Sequence, residues 1–264
     1  MNRRFHPRVG RLLSDGRFPL SFRVGEDLLR QGLFMLACYA AYDISRAWVQ
    51  GREAVAMANG LFFMNAEKAM HIWWEPWVQA RASDVPGLMT VLVAAYASLH
   101  LPAIIGCLIV IFAQRRQAWP FFRNWFLAMN FMAVAVFFLL PTAPPRMIFT
   151  AGIVDFNYLH GVRTEILENG LLANPYAAMP SLHIGYALFI ALAVCMLARR
   201  RWLRALAIAY PVLVLVAIVA TGNHYIVDAI GGALVVLAAY VFAVNLQPSG
   251  AGQPAAVPVR ERDG

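Results

Sequence analysis

Two histidines and an aspartate stand where a very apolar chain would be expected to exclude them. The stretch "NPYAAMPSLHIGYALFIALAV" sets Pro180, Ser181 and His183 at the mouth of one apolar run, and "TGNHYIVDAIGG" sets Asn223, His224 and Asp228 at the mouth of another. His224 and Asp228 are four residues apart, so on a helix they share a face. A carboxylate there can accept from the imidazole, fix its tautomer and stabilise its cation. The other ring nitrogen is then free to attack an electrophile. Ser181 opens a helix whose first N–H groups and positive dipole end favour an anion such as phosphate, although a serine at that position also serves as a plain cap. His183, two residues on, is placed to give or take a proton. A third stretch, "PTAPPRM", ends in Arg146, a cation for the same anion.

The same residues have other possible uses. Two histidines and an aspartate would suit a three-ligand zinc site. The anion-favouring surroundings and the lack of a glutamate placed as general base speak against it, and no metal or cofactor is expected. A transporter or scaffold with a polar outer-face cluster is the non-catalytic alternative. Broken helices at the membrane midplane would favour it, whereas this polar cluster lies at one face. His6, His71 and His100 read as structural or solvent-exposed.

The elements that must position these groups follow from composition. Of 264 residues, 61% are hydrophobic and only 14% charged, outside the range of soluble domains. The chain reads as an all-α, polytopic membrane protein. A span needs about 20 mostly apolar residues, and six candidates occur: Leu28–Val49, Leu88–Phe112, Trp125–Leu140, Ser181–Leu197, Leu203–Ala220 and Ile226–Leu246. Residues 1–27 carry six arginines and no apolar core, so they read as a basic cytoplasmic arm without a cleavable signal peptide. Residues 28–246 form one six-span domain, and 247–264, rich in Pro and Gly, read as a disordered cytoplasmic tail. Cys38, Cys107 and Cys195 all fall within spans, which does not fit a disulfide framework.

The formal net charge of +8 belongs to loops. Arg115, Arg116 and Arg123 lie between spans two and three, and Arg199, Arg200, Arg201 and Arg204 between spans four and five. By the positive-inside rule these loops and both termini are cytoplasmic, and no nucleic-acid partner is implied. The histidines and Arg146 then fall on the outer side of a cell membrane. Between the first two spans, Arg52 to Ala80 is amphipathic and carries Trp73, Trp74 and Trp77. It reads as an interfacial segment, either a connector resting on the bilayer or a lid for a lipid substrate.

"PSLH", followed some 40 residues later by "GNHYIVD", resembles the later two signature motifs of the type 2 phosphatidic acid phosphatase superfamily. Together with "PTAPPR" and "NPYAAMPSLH", it is similar to the branch containing inositol phosphorylceramide synthase. The resemblance implies that His224 attacks phosphorus to give a phosphohistidine and that Asp228 orients it. His183 would protonate the leaving oxygen and then serve as base toward water or an alcohol. Arg146 and the amides around Ser181 would hold the phosphoryl oxygens, with Asn223, Arg163 and His160 as further candidates. The implied partner is a membrane lipid with a phosphate headgroup, and in a transferase also a lipid alcohol acceptor. Two departures stand out. The first signature motif, a Lys ahead of Arg-Pro, is absent, since Lys68 is the only lysine, and Ala217 and Ile218 stand where Ser-Arg would be expected.

Overall fold

The computed structural model describes residues 29–36, 52–160 and 175–247. Residues 29–36 are helical; the rest of the expected first span, the N-terminal arm, most of the tail and Arg163 lie outside the described residues. The helices that follow are α1 (Glu53–Ala69), α2 (Glu75–Ser83), α3 (Leu88–Ser98), α4 (His100–Gln114), α5 (Trp119–Leu139), α6 (Phe156–Leu159), α7 (Leu182–Leu197), α8 (Arg201–Ala220) and α9 (Ile226–Asn245). Among the described residues no strand forms. A single parallel bridge pairs Thr142 with Ala177, tying "PTAPPR" to "NPYAAMPSLH".

Among the described residues three helices, α5, α8 and α9, are long and apolar enough to cross a membrane, and α3 with α4 makes a fourth if their 47° bend lies within one span. The apolar α7 has 16 residues. The helix α5, expected as the third span, begins at Trp119 rather than Trp125, because Pro120 suits the first turn of a helix, where its missing N–H costs nothing. It ends at Leu139, two residues ahead of Pro141.

At the centre is α7, packed against α4, α5, α8 and α9. Phe121, Phe122, Trp125 and Phe189 are fully buried among these helices. The Trp125 and Phe189 rings lie 4.9 Å apart, and Trp125 Nε1 donates to the Val236 carbonyl at 2.9 Å. That contact satisfies the indole N–H in a site that excludes water, and it locks α5, α7 and α9 together.

The starts of α7 and α9 approach each other through Gly232. A Cβ there would collide with the Ser181 carbonyl oxygen, which is backbone and cannot swing aside. Gly232→Ala is therefore expected to destabilise the fold by about 1–3 kcal/mol. Thermal unfolding in detergent should show this against Gly106→Ala, where the added Cβ meets nothing within 4 Å; equal melting temperatures would refute the close approach. In the turn between α8 and α9, Gly222 adopts φ 71°, the left-handed region that glycine enters without strain.

The segment read as interfacial forms α1 and α2. Ala56, Gly60, Met64 and Glu67 line the buried side of α1, while Phe62 on the other side is 65% exposed. Trp74 and Trp77 are exposed as well, whereas Glu67 and Glu75 are fully buried.

Candidate active site at the starts of two helices

Asp228 sits in the first turn of α9 and accepts through Oδ2 from the backbone N–H of Tyr225 at 2.9 Å. This is a helix cap made by an in-helix carboxylate, favoured by the positive end of the helix dipole. The same oxygen lies 3.3 Å from His224 Nδ1. His224 Nδ1 also meets the Ala178 carbonyl at 2.9 Å. A carbonyl oxygen can only accept, so Nδ1 must carry the proton, and in the neutral ring Nε2 keeps its lone pair. Nε2 faces His183 Nδ1 at 3.3 Å. The three residues that the sequence set 41 and four positions apart are thus joined in one chain, Asp228–His224–His183.

Ser181 caps α7, its Oγ accepting from Ile184 N at 3.5 Å, while its own N–H donates to the Asp228 carbonyl at 2.9 Å. This second bond pins the start of α7 to the start of α9. An anion would therefore be met by the next amides of the helix, which have no carbonyl a turn earlier within it.

Arg146 is nearly buried, with its side chain 6% exposed. Its N–H donates to the Gly222 carbonyl at 3.0 Å and its Nε to Asn223 Oδ1 at 2.9 Å, while Nη1 lies 3.8 Å from Asp155 Oδ2. Asn223 Oδ1 accepts a second bond from Asn157 Nδ2 at 2.9 Å, and Asn223 Nδ2 donates to Thr221 Oγ1 at 2.7 Å. Asn223, expected to touch phosphate, therefore spends its polar atoms fixing Arg146 beside His224. His160 is engaged elsewhere, with Thr90 Oγ1 and the Phe156 carbonyl.

Sequence reasoning missed the ring packing on His183. Tyr96 stacks on it at 4.6 Å and His100 lies 4.3 Å away, both from the bend between α3 and α4. A narrow crevice of about 10 Å³ lies there, lined by Tyr96, Leu99, His100, His183, Tyr210 and Ile218 among others. The available signal was "YASLH", a tyrosine and histidine four apart on one helical face.

A family model of the PAP2 superfamily matches residues 61–242, a stretch that holds Arg146, Ser181, His183, His224 and Asp228. The chain belongs to the PAP2 superfamily. No curated protein and no solved structure matches it. PAP2 superfamily members are phosphatases and phosphotransferases, which makes the buried His–His–Asp chain the natural place to look for phosphoryl chemistry. Among the described residues no group of three or more His, Cys, Asp or Glu has a metal-holding arrangement.

Proposed function

We propose that this PAP2 protein is a metal-independent lipid phosphatase or phosphotransferase working through a phosphohistidine at the outer membrane face. The observation that carries the proposal is the His224 tautomer. Ala178 and Asp228 hold Nδ1–H, so the lone pair of Nε2 points at His183 and toward the site. His224 Nε2 forms a bond to phosphorus as the bond from phosphorus to the lipid oxygen breaks, and His183 gives that oxygen its proton. The oxygen of water or of a lipid alcohol, losing its proton to His183, then attacks phosphorus and frees His224. Asp228, buried beside Nδ1, stabilises the imidazolium character of the intermediate.

Orientation is supported by Arg199, Arg200, Arg201 and Arg204, which follow the far end of α7 from His183. The lining beside His183 includes the apolar Leu99, Leu213, Val214 and Ile218, which is compatible with a lipid substrate. Similarity of "PTAPPR" and "NPYAAMPSLH" to the inositol phosphorylceramide synthase branch favours transfer over hydrolysis.

The test is phosphate release in detergent with EDTA from phosphatidate, a polyprenyl diphosphate and phosphatidylinositol, each with and without a lipid alcohol. Release under EDTA establishes the phosphatase. A new phospholipid appearing only with the alcohol establishes the transferase, and neither product rejects the proposal. Arg146→Ala is expected to raise KM about 10- to 100-fold, the worth of one or two charge-assisted hydrogen bonds, with kcat less affected. An unchanged KM would exclude Arg146 from phosphate binding.

A further inference from the structure

Two carboxylates outside the histidine chain hold the helix that carries it. Glu67, near the end of α1, accepts through Oε1 from the backbone N–H of Val227 at 2.7 Å. Glu75, the first residue of α2, accepts through Oε1 from Ile226 N–H at 2.9 Å. These are the first amides of α9, which have no partner within their own helix. Both acids are fully buried. Their remaining oxygens, Glu67 Oε2 and Glu75 Oε2, are buried and meet no N–H or hydroxyl donor, and the two carboxyls are neighbours because they accept from successive amides, those of residues 227 and 226. A bond between two carboxyl groups needs one proton, because two carboxylates only accept and repel.

We infer that Glu67 and Glu75 share one proton and act as a positioning pair, clamping the first turn of α9 so that His224 and Asp228 keep their register against His183. Neither residue touches the reacting atoms; both act through the backbone of residues 226 and 227. Burial, and secondarily the bond and charge of Glu75, push the Glu67 carboxyl up to about 9. Burial raises Glu75 too. The acidic groups around the pair are Asp228 and the Tyr225 phenol, both from the α9 side. Lys68, the next residue along α1, sits over the Trp73 ring.

The sign follows from proton binding. Above the ordinary glutamate value of 4.5 the unfolded chain releases a proton that the folded pair keeps up to about 9. Stability from the shared proton is therefore full below 4.5 and lost as pH rises through about 9. Ionisation of the pair then loosens the turn that aligns His224.

The inference rests on the phosphohistidine reading for its kinetic arm and stands apart from it in a spectroscopic one. Glutamine keeps an oxygen for the α9 amide and an N–H for the other carboxyl, with no proton to lose. Glu67→Gln is expected to keep kcat near wild type at pH 7 and to lack the alkaline decline. Glu67→Ala and Glu75→Ala should each lower kcat about tenfold or more with KM nearly unchanged, the cost of misplacing a reacting group. Wild-type kcat in both alanine variants, or a Glu67→Gln pH profile superimposable on wild type, would overturn the pair. In 15N-histidine NMR, the His224 resonances should report protonated Nδ1 in wild type and Glu67→Gln and a tautomer mixture in Glu67→Ala. If wild type turns over no lipid phosphate, the proposed function fails while this comparison still decides the clamp: identical His224 signals in all three proteins would refute it. If Glu67→Ala does not fold, the glutamine variant carries the test through its pH profile.

Discussion

His224→Ala releases no phosphate above background from any lipid phosphate that the wild-type protein turns over, a loss expected at about 10⁴-fold or more, as for removal of a nucleophile from a set that acts as a unit. The reason lies in the placement of the two ring nitrogens. Nδ1 is spent on Ala178 and Asp228, so Nε2 alone can bond phosphorus, and the nearest other imidazole, His183, stands across the gap rather than behind it. The fold should survive. Asp228 Oδ2 still accepts from Tyr225 N–H, Glu75 and Glu67 still hold Ile226 and Val227, and what is lost are the Nδ1 contacts to the Ala178 carbonyl and to the buried Asp228 carboxylate. A net hydrogen bond is worth about 0.5–1.5 kcal/mol and one to a charged group about 1.5–3 kcal/mol, so melting in detergent should fall measurably while remaining a cooperative transition. Phosphate release by His224→Ala within tenfold of wild type would remove His224 from the nucleophile's role.

The His224–Asp228 contact was legible through local spacing, because a His and an Asp four residues apart at the start of a helix can hardly avoid one another. The span boundaries followed from the same kind of regularity, with α8 and α9 falling close to where the apolar runs placed them. Contacts between distant parts of the chain were not legible. Nothing in "GLFFMNAEKAM" distinguishes Glu67 from the solvated side of an amphipathic helix, and Glu75 beside three tryptophans looks like interfacial polarity. Only the fold brings them onto amides at 226 and 227. Asn223, a candidate for phosphate, has its orientation set by Asn157 and Thr221, one far away and one two residues back. His100, expected to be structural or solvent-exposed, lies against His183 because the chain bends between α3 and α4, a contact that no local spacing encodes. The missing lysine of the family's first motif is not replaced by another lysine. Arg146, fixed by Asn223 and Gly222, is the cation that the described site offers.

His183→Gln separates the two halves of the reaction. As general acid His183 is worth about 10²–10⁴-fold, but only where the leaving oxygen needs its proton. A lipid alkoxide is a poor leaving group, so phosphatidate turnover should fall by that factor. An aryl phosphate, whose phenolate departs unaided, should still phosphorylate His224. The second step then stalls, because the same imidazole must take the proton of the attacking water or alcohol. The variant is therefore expected to give a burst of phenolate of about one equivalent followed by slow turnover, with an acid-labile phosphate retained on the protein. Glutamine preserves a polar side chain between Tyr96 and His100, so collapse of the crevice does not account for the stall. A burst without retained phosphate would mean that water reaches the intermediate unaided, leaving His183 as acid only. Equal losses on the aryl and lipid substrates would mean that His183 orients His224 rather than moving protons, which is the other use its 3.3 Å contact with Nε2 allows.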